Sequence, residues 1–148
     1  MSDNETINLL AAQKVKESLK QSKRLDGRGF NDIRDITIEK GVISSADGSA
    51  KIKLGDTEVI VGVKIGVGEP YPDSPDEGSM MFNLELSAIS GPDFYTGPPS
   101  LESVEFGRVA DRAIRSSECI DMKKLSIISG EKMYLLFIDC YVTNADGN

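Results

Sequence analysis

The chain has 148 residues, room for one domain with one real core. Apolar residues at 39% point to a globular fold, and a net charge of −7 argues against general nucleic-acid binding, which needs positive charge. The absence of histidine excludes Ser-His-Asp and Cys-His nucleophile systems, His-ligated zinc and imidazole acid–base chemistry.

In chain order, Ser2 to Glu5 read as a capping box that opens a helix ending near Ser22, with Ile7, Leu10, Ala11 and Val15 on one side. The two glycines of Lys23-Arg24-Leu25-Asp26-Gly27-Arg28-Gly29 mark a loop. Arg34 to Glu39, Lys51 to Leu54 and Glu58 to Val67 alternate or carry β-branched runs, and turns at Ala46–Ala50 and Gly55–Thr57 separate them. This predicts an antiparallel meander. Glu69 to Gly78, with three prolines and four acids, is a solvated loop without metal-ligand spacing. Ser79 to Ser90 reads as a strand, with Met81, Asn83 and Glu85 opposite Met80, Phe82, Leu84 and Leu86. Gly91 to Pro99 is a second Pro/Gly loop.

Ser100 is the expected cap of a helix reaching about Ser116. Phe106, Val109, Ala110, Ala113 and Ile114 share its apolar arc, and Arg108, Arg112 and Arg115 share another of about 60°. Met122 to Ile128 is a connection and short strand, and Glu131 to Val142 a strongly apolar strand. Asp139 lies inside that strand, where an ionised side chain needs a partner or a solvent-facing position. Cys119 and Cys140 form no Cys-x-x-Cys pair and are expected as buried free thiols. Asn144 to Asn148 is turn chemistry that should lead into a further element, so the chain is expected to be the first part of its domain. No apolar run reaches membrane-spanning length and no secretion signal opens the chain, so no membrane partner is expected and the expected location is cytoplasmic.

The charges are segregated. Lys14–Arg28 holds six basic and two acidic residues, Glu69–Glu105 eight acids and no base, and Arg108–Lys124 five basic and three acidic residues. A local positive site on an acidic body is compatible with this pattern.

The succession Arg24-Leu25-Asp26-Gly27-Arg28, Asp47-Gly48-Ser49-Ala50 and Gly55-Asp56-Thr57-Glu58-Val59-Ile60 resembles the first half of an RNase PH domain. Pro70-Tyr71-Pro72-Asp73, Glu77-Gly78, Gly97-Pro98-Pro99 and Arg108-Val109-Ala110-Asp111-Arg112 resemble a non-catalytic, exosome-ring branch of that family. The resemblance implies an α+β fold of the ribosomal protein S5 domain 2-like type, with a mixed or antiparallel sheet and helices. It divides the chain into an N-terminal helical extension, residues 1–22, and the first part of an RNase PH domain, residues 23–148.

The same resemblance implies a hexameric ring alternating with a catalytic RNase PH-like subunit, RNA-binding cap subunits and single-stranded RNA as substrate, with no cofactor and no metal. Catalytic members carry a basic motif before a Ser-x-Glu segment; here Leu101-Glu102 precede Ser103-Val104-Glu105. The family's phosphate-binding loop and catalytic aspartate fall after the last residue of this sequence. The expectation is a non-catalytic subunit that lends arginines to its neighbour's RNA channel: Arg108 and Arg112 first, Arg115 more weakly. The alternative is a self-sufficient phosphorolytic 3′-exoribonuclease. Arg24, Asp26 and Arg28 are expected to be structural, tying the N-terminal segment down through ion pairs.

Overall fold

The computed structural model describes residues 3–91, 94–95 and 97–146, and the side chains of 3–8 and 11 lie outside that description. The expected capping residue Ser2 and the apolar side chains Ile7 and Ala11 therefore fall outside the described residues. The elements are helix α1 (Asp3–Lys20), strands β1 (Ile36–Lys40), β2 (Gly48–Leu54), β3 (Thr57–Gly68) and β4 (Ser79–Leu86), helix α2 (Leu101–Ser116), a 3-10 turn (Met122–Leu125), and strands β5 (Ser126–Ile128) and β6 (Lys132–Asn144). Among the described residues no helix is long and apolar enough to cross a membrane.

Two compact units are present. Met1–Asp35 with Asp146–Asn148 form one, and Ile36–Ala145 form the other. In the first, the Arg24–Gly29 loop closes on itself. Arg24 donates from Nη2 to the Phe30 carbonyl at 3.0 Å, and its backbone N–H donates to the Arg28 carbonyl at 2.8 Å. Arg28 pairs through Nε with Asp26 and donates from Nη1 to the Asp32 carbonyl at 2.9 Å. The guanidinium of Arg28 holds the Asp26 carboxyl below its ordinary range. These arginines bond carbonyls and a carboxylate within residues 26–32, and the buried Nη2 of Arg28 has no hydrogen-bond partner among the described residues.

The second unit is one mixed sheet in the order β1-β2-β3-β6-β4, with β5 on β6. The expected meander is present: β1, β2 and β3 pair antiparallel. Leu54 pairs with Thr57, so Gly55-Asp56 make a two-residue hairpin loop, and Gly55 takes φ of 60°, which suits such a turn. The expected turn at Ala46–Ala50 is shorter than read, because residues 48–50 already pair with β3. The strand expected through Ser90 ends at Leu86.

Long-range pairing completes the sheet: β6 inserts between β3 and β4, antiparallel to β3 and parallel to β4. Parallel neighbours need a crossover, and the segment containing α2 supplies it. Met80, Met133, Ile138, Cys140 and Val142 form the buried core, all at or below 9% exposure.

Two expectations need correction. Of the expected apolar arc of α2, only Ala110 and Ile114 are half-buried, while Phe106 and Val109 are 60% and 67% exposed. The helix meets β4 through small residues instead. Ser103 is buried, and a Cβ at Gly107 would sit 3.7 Å from Leu84 Cβ. Small side chains allow close approach, which turns the larger apolar residues away from the sheet. The second correction concerns the cysteines. Both are free thiols, but Cys119 is exposed while Cys140 is buried. Cys119 follows the left-handed residue Glu118 (φ 52°) just after α2, outside the core; Cys140 points inward from β6, where burial raises its thiol pKa.

Candidate functional site

Helix α2 begins as its sequence requires. Ser100 takes an extended conformation and its Oγ accepts the Ser103 N–H at 3.1 Å. The Ser103 hydroxyl in turn donates to the Leu84 carbonyl of β4. This bond fixes the first turn of the helix against the strand and leaves a cleft of about 420 Å³ between them. Phe82, Asn83 and Leu84 form its strand side; Ser103, Gly107, Arg108, Asp111 and Arg112 form its helix side.

Arg108 and Arg112 stand one turn apart on the cleft's edge, both exposed. Neither has a hydrogen bond or ion pair among the described residues. Arg115, expected on the same stripe, is used differently. Its Nε donates to Asp111 Oδ2 at 2.9 Å and its Nη2 to the Met80 carbonyl at 2.6 Å. Asp111 thus pairs through Oδ2 with Arg115. The stripe resolves into two available guanidinium groups and one that ties the helix to β4.

Beyond Ser103 a second cleft of about 400 Å³ opens at the helix N-terminus, bounded by Glu85, Phe94, Tyr95, Pro98, Pro99 and Glu102 among others. Sequence reasoning treated Gly91–Pro99 only as a loop. The adjacent aromatics Phe94-Tyr95 inside a Pro/Gly segment were the available signal. Leu101, in the first turn of α2, is 75% exposed.

Other charged candidates lie elsewhere. Asp139 is solvent-facing on β6. Together with Glu85 it opposes ionisation of Tyr141, whose pKa is raised first by Glu85, then by burial and Asp139. Glu58 bonds Lys51 at 2.9 Å and Lys53 at 3.2 Å and accepts the Thr143 hydroxyl at 3.1 Å, linking β2, β3 and β6. Its carboxyl is held below the ordinary range, chiefly by the bond from Lys51. The acidic loop after β3 is seated at Gly78, where a Cβ would lie 2.2 Å from Leu125 Cβ.

Comparison with known proteins agrees with this geometry. Residues 32–148 match the RNase PH family, described as 3′ exoribonuclease family, domain 1. The exosome complex component Rrp42 of Methanosarcina acetivorans is 50% identical over 145 residues, which are 98% of this chain and 54% of that protein. Rrp42 of Pyrococcus abyssi is 45% identical over 148 residues, covering 100% of this chain and 54% of that protein.

Among solved structures, the Archaeoglobus fulgidus exosome with RNA bound to the active site superposes with a TM-score of 0.87 at 48% identity, over 92% of this chain and 54% of that one. An archaeal exosome core superposes with a TM-score of 0.84 at 42% identity, over 100% and 55%. The chain thus spans about half the length of the relatives it matches. With the β-meander, the crossover through α2 and the family match over residues 32–148 in agreement, the chain belongs to the RNase PH family of 3′ exoribonuclease domains.

Proposed function

We propose that this protein is a non-catalytic subunit of an exosome core ring that acts in 3′-to-5′ RNA degradation. It alternates with a catalytic RNase PH-like subunit in a cytoplasmic hexamer, beneath RNA-binding cap subunits. There it helps structure the neighbour's active site and contacts single-stranded RNA. One observation carries the reading: Arg108 and Arg112 stand side by side on the α2–β4 cleft with no partner among the described residues. Phosphorolysis brings inorganic phosphate against an RNA backbone, so both reactants are anionic. Two neighbouring guanidinium groups, each a planar fork of donors, suit the task of holding such a strand in register. Arg115 takes a lesser part, holding α2 on β4 through Met80 while it occupies Asp111.

The non-catalytic part of the reading rests on Leu101 and Glu102. In the first turn of α2, an exposed leucine cannot pair with a phosphate and a glutamate repels one.

The test has two parts. Co-expression with a catalytic RNase PH-like subunit should yield a mixed complex with the mass of a hexamer, and that complex should release nucleoside diphosphates from RNA when phosphate is added. This chain alone should release none. Robust turnover by the chain alone would establish the self-sufficient exoribonuclease instead, and failure to enter any mixed complex would remove the ring assignment.

A further inference from the structure

The cleft beside Arg108 and Arg112 borders the second cleft at the helix N-terminus: Pro99 and Ser103 line both. Their chemistry differs sharply. The first carries two arginines; among the described residues the second is bounded by no lysine or arginine, and its walls include Phe94, Tyr95, two prolines and Glu102. Such a wall repels phosphate but accepts a neutral aromatic ligand with amino groups.

Tyr95 is 82% exposed, so its ring contributes little to the protein's own packing. The residue before it is packed on the loop. The Phe94 ring lies against Gly91, where an added Cβ would come 3.3 Å from it, and the Phe94 N–H donates to the Gly91 carbonyl at 3.3 Å. One residue earlier, the Ser90 carbonyl accepts the Ala145 N–H at 2.8 Å, which ties the loop to the end of β6. Pro98 and Pro99 restrict the backbone on the other side.

We propose that the second cleft is a nucleobase subsite. Tyr95 stacks on the base next to the phosphate that Arg108 and Arg112 hold, and Glu102 accepts hydrogen bonds from the base's amino groups. This rests on the RNA-contacting reading of the two arginines. It adds a division of labour between two adjoining clefts, with charge holding the backbone in one and an aromatic face holding a base in the other. Stacking tolerates any base, which suits a strand threaded without sequence readout.

The test uses the mixed complex with the catalytic partner in phosphate-free buffer, so that RNA is bound and not consumed. Affinities are measured for a single-stranded RNA octamer and for an octamer of abasic nucleotides, at several salt concentrations. Tyr95→Ala should weaken binding of the base-bearing RNA about tenfold, the scale of one base–aromatic stack, and leave the abasic RNA unaffected. Tyr95→Trp should restore binding, which a purely structural role would not require. Neither variant should change the salt dependence, whereas Arg108→Glu with Arg112→Glu should lower affinity for both RNAs and flatten it.

Unchanged affinity of Tyr95→Ala for base-bearing RNA, with the arginine effect intact, overturns the subsite and leaves the arginine reading standing. Equal weakening of both RNAs by Tyr95→Ala also overturns it. No effect of the arginine pair on either RNA overturns the arginine reading and the subsite with it.

Discussion

One row of residues crosses the whole sheet: Ile38, Ile52, Val59, Val142 and Leu86 are successive neighbours on the same face. At its centre Val142 is 9% exposed; at its β1 end Ile38 is 59% exposed. Both positions are apolar and both alternate correctly. They differ in what lies over them. Helix α2 packs on β4, the strand beside β6, while β1 is exposed along its entire length. Alternation in a strand therefore states which face is apolar; it does not state whether that face is covered. In this unit the buried core and the two clefts lie at the same end of the sheet, where the helix sits.

Substitutions at the two ends should separate accordingly. Ile138→Ala, in the buried centre of β6, should cost about 2–5 kcal/mol of unfolding free energy. Ile38→Ala should stay within about 0.5 kcal/mol, as surface changes do. Denaturant titration of the two variants side by side checks this, and equal losses would mean that the outer strand is covered in solution.

A smaller effect is expected at the helix–strand junction. Ser103→Ala removes the hydroxyl that donates to the Leu84 carbonyl in a buried setting and should cost about 1 kcal/mol. It should also loosen RNA binding through the cleft while leaving Arg108 and Arg112 in place. A stability loss with unchanged RNA affinity would show that the cleft does not depend on that bond.

Smaller still, and confined to acid pH, is the contribution of Glu58. Its folded-state pKa lies below its ordinary 4.5, so the folded protein binds fewer protons there than the unfolded chain. The resulting stability is present above pH 4.5 and is lost as pH falls through the depressed folded value. Glu58→Gln should remove that slope from the acid limb of a stability–pH curve, and an unchanged slope would assign it to other carboxylates.

The sequence was informative where structure is local. The β1–β3 meander follows from β-branched alternation and the Gly55-Asp56 turn, and α2 from the Ser100 cap and its helical spacing. The insertion of β6 between β3 and β4 was not legible, because pairing across dozens of residues leaves no periodic trace. Nor was the orientation of α2. A helical wheel gives an apolar arc, but the contact with β4 is made by Ser103 and Gly107, which that arc leaves out. The same limit applied to the arginines. Spacing placed three on one stripe, and only side-chain geometry distinguished Arg115, bonded to Asp111 and Met80, from the other two.

The most direct measurement is the salt dependence of RNA affinity in the mixed ring, wild type against Arg108→Glu with Arg112→Glu. Every RNA phosphate that goes without its arginine should lower affinity and reduce the slope of log affinity against log salt by about 0.7 for a single strand. Retention of the hexamer with weaker binding and a shallower slope is the expected result. An intact ring with the same affinity and the same slope would contradict the assignment of these two arginines to RNA.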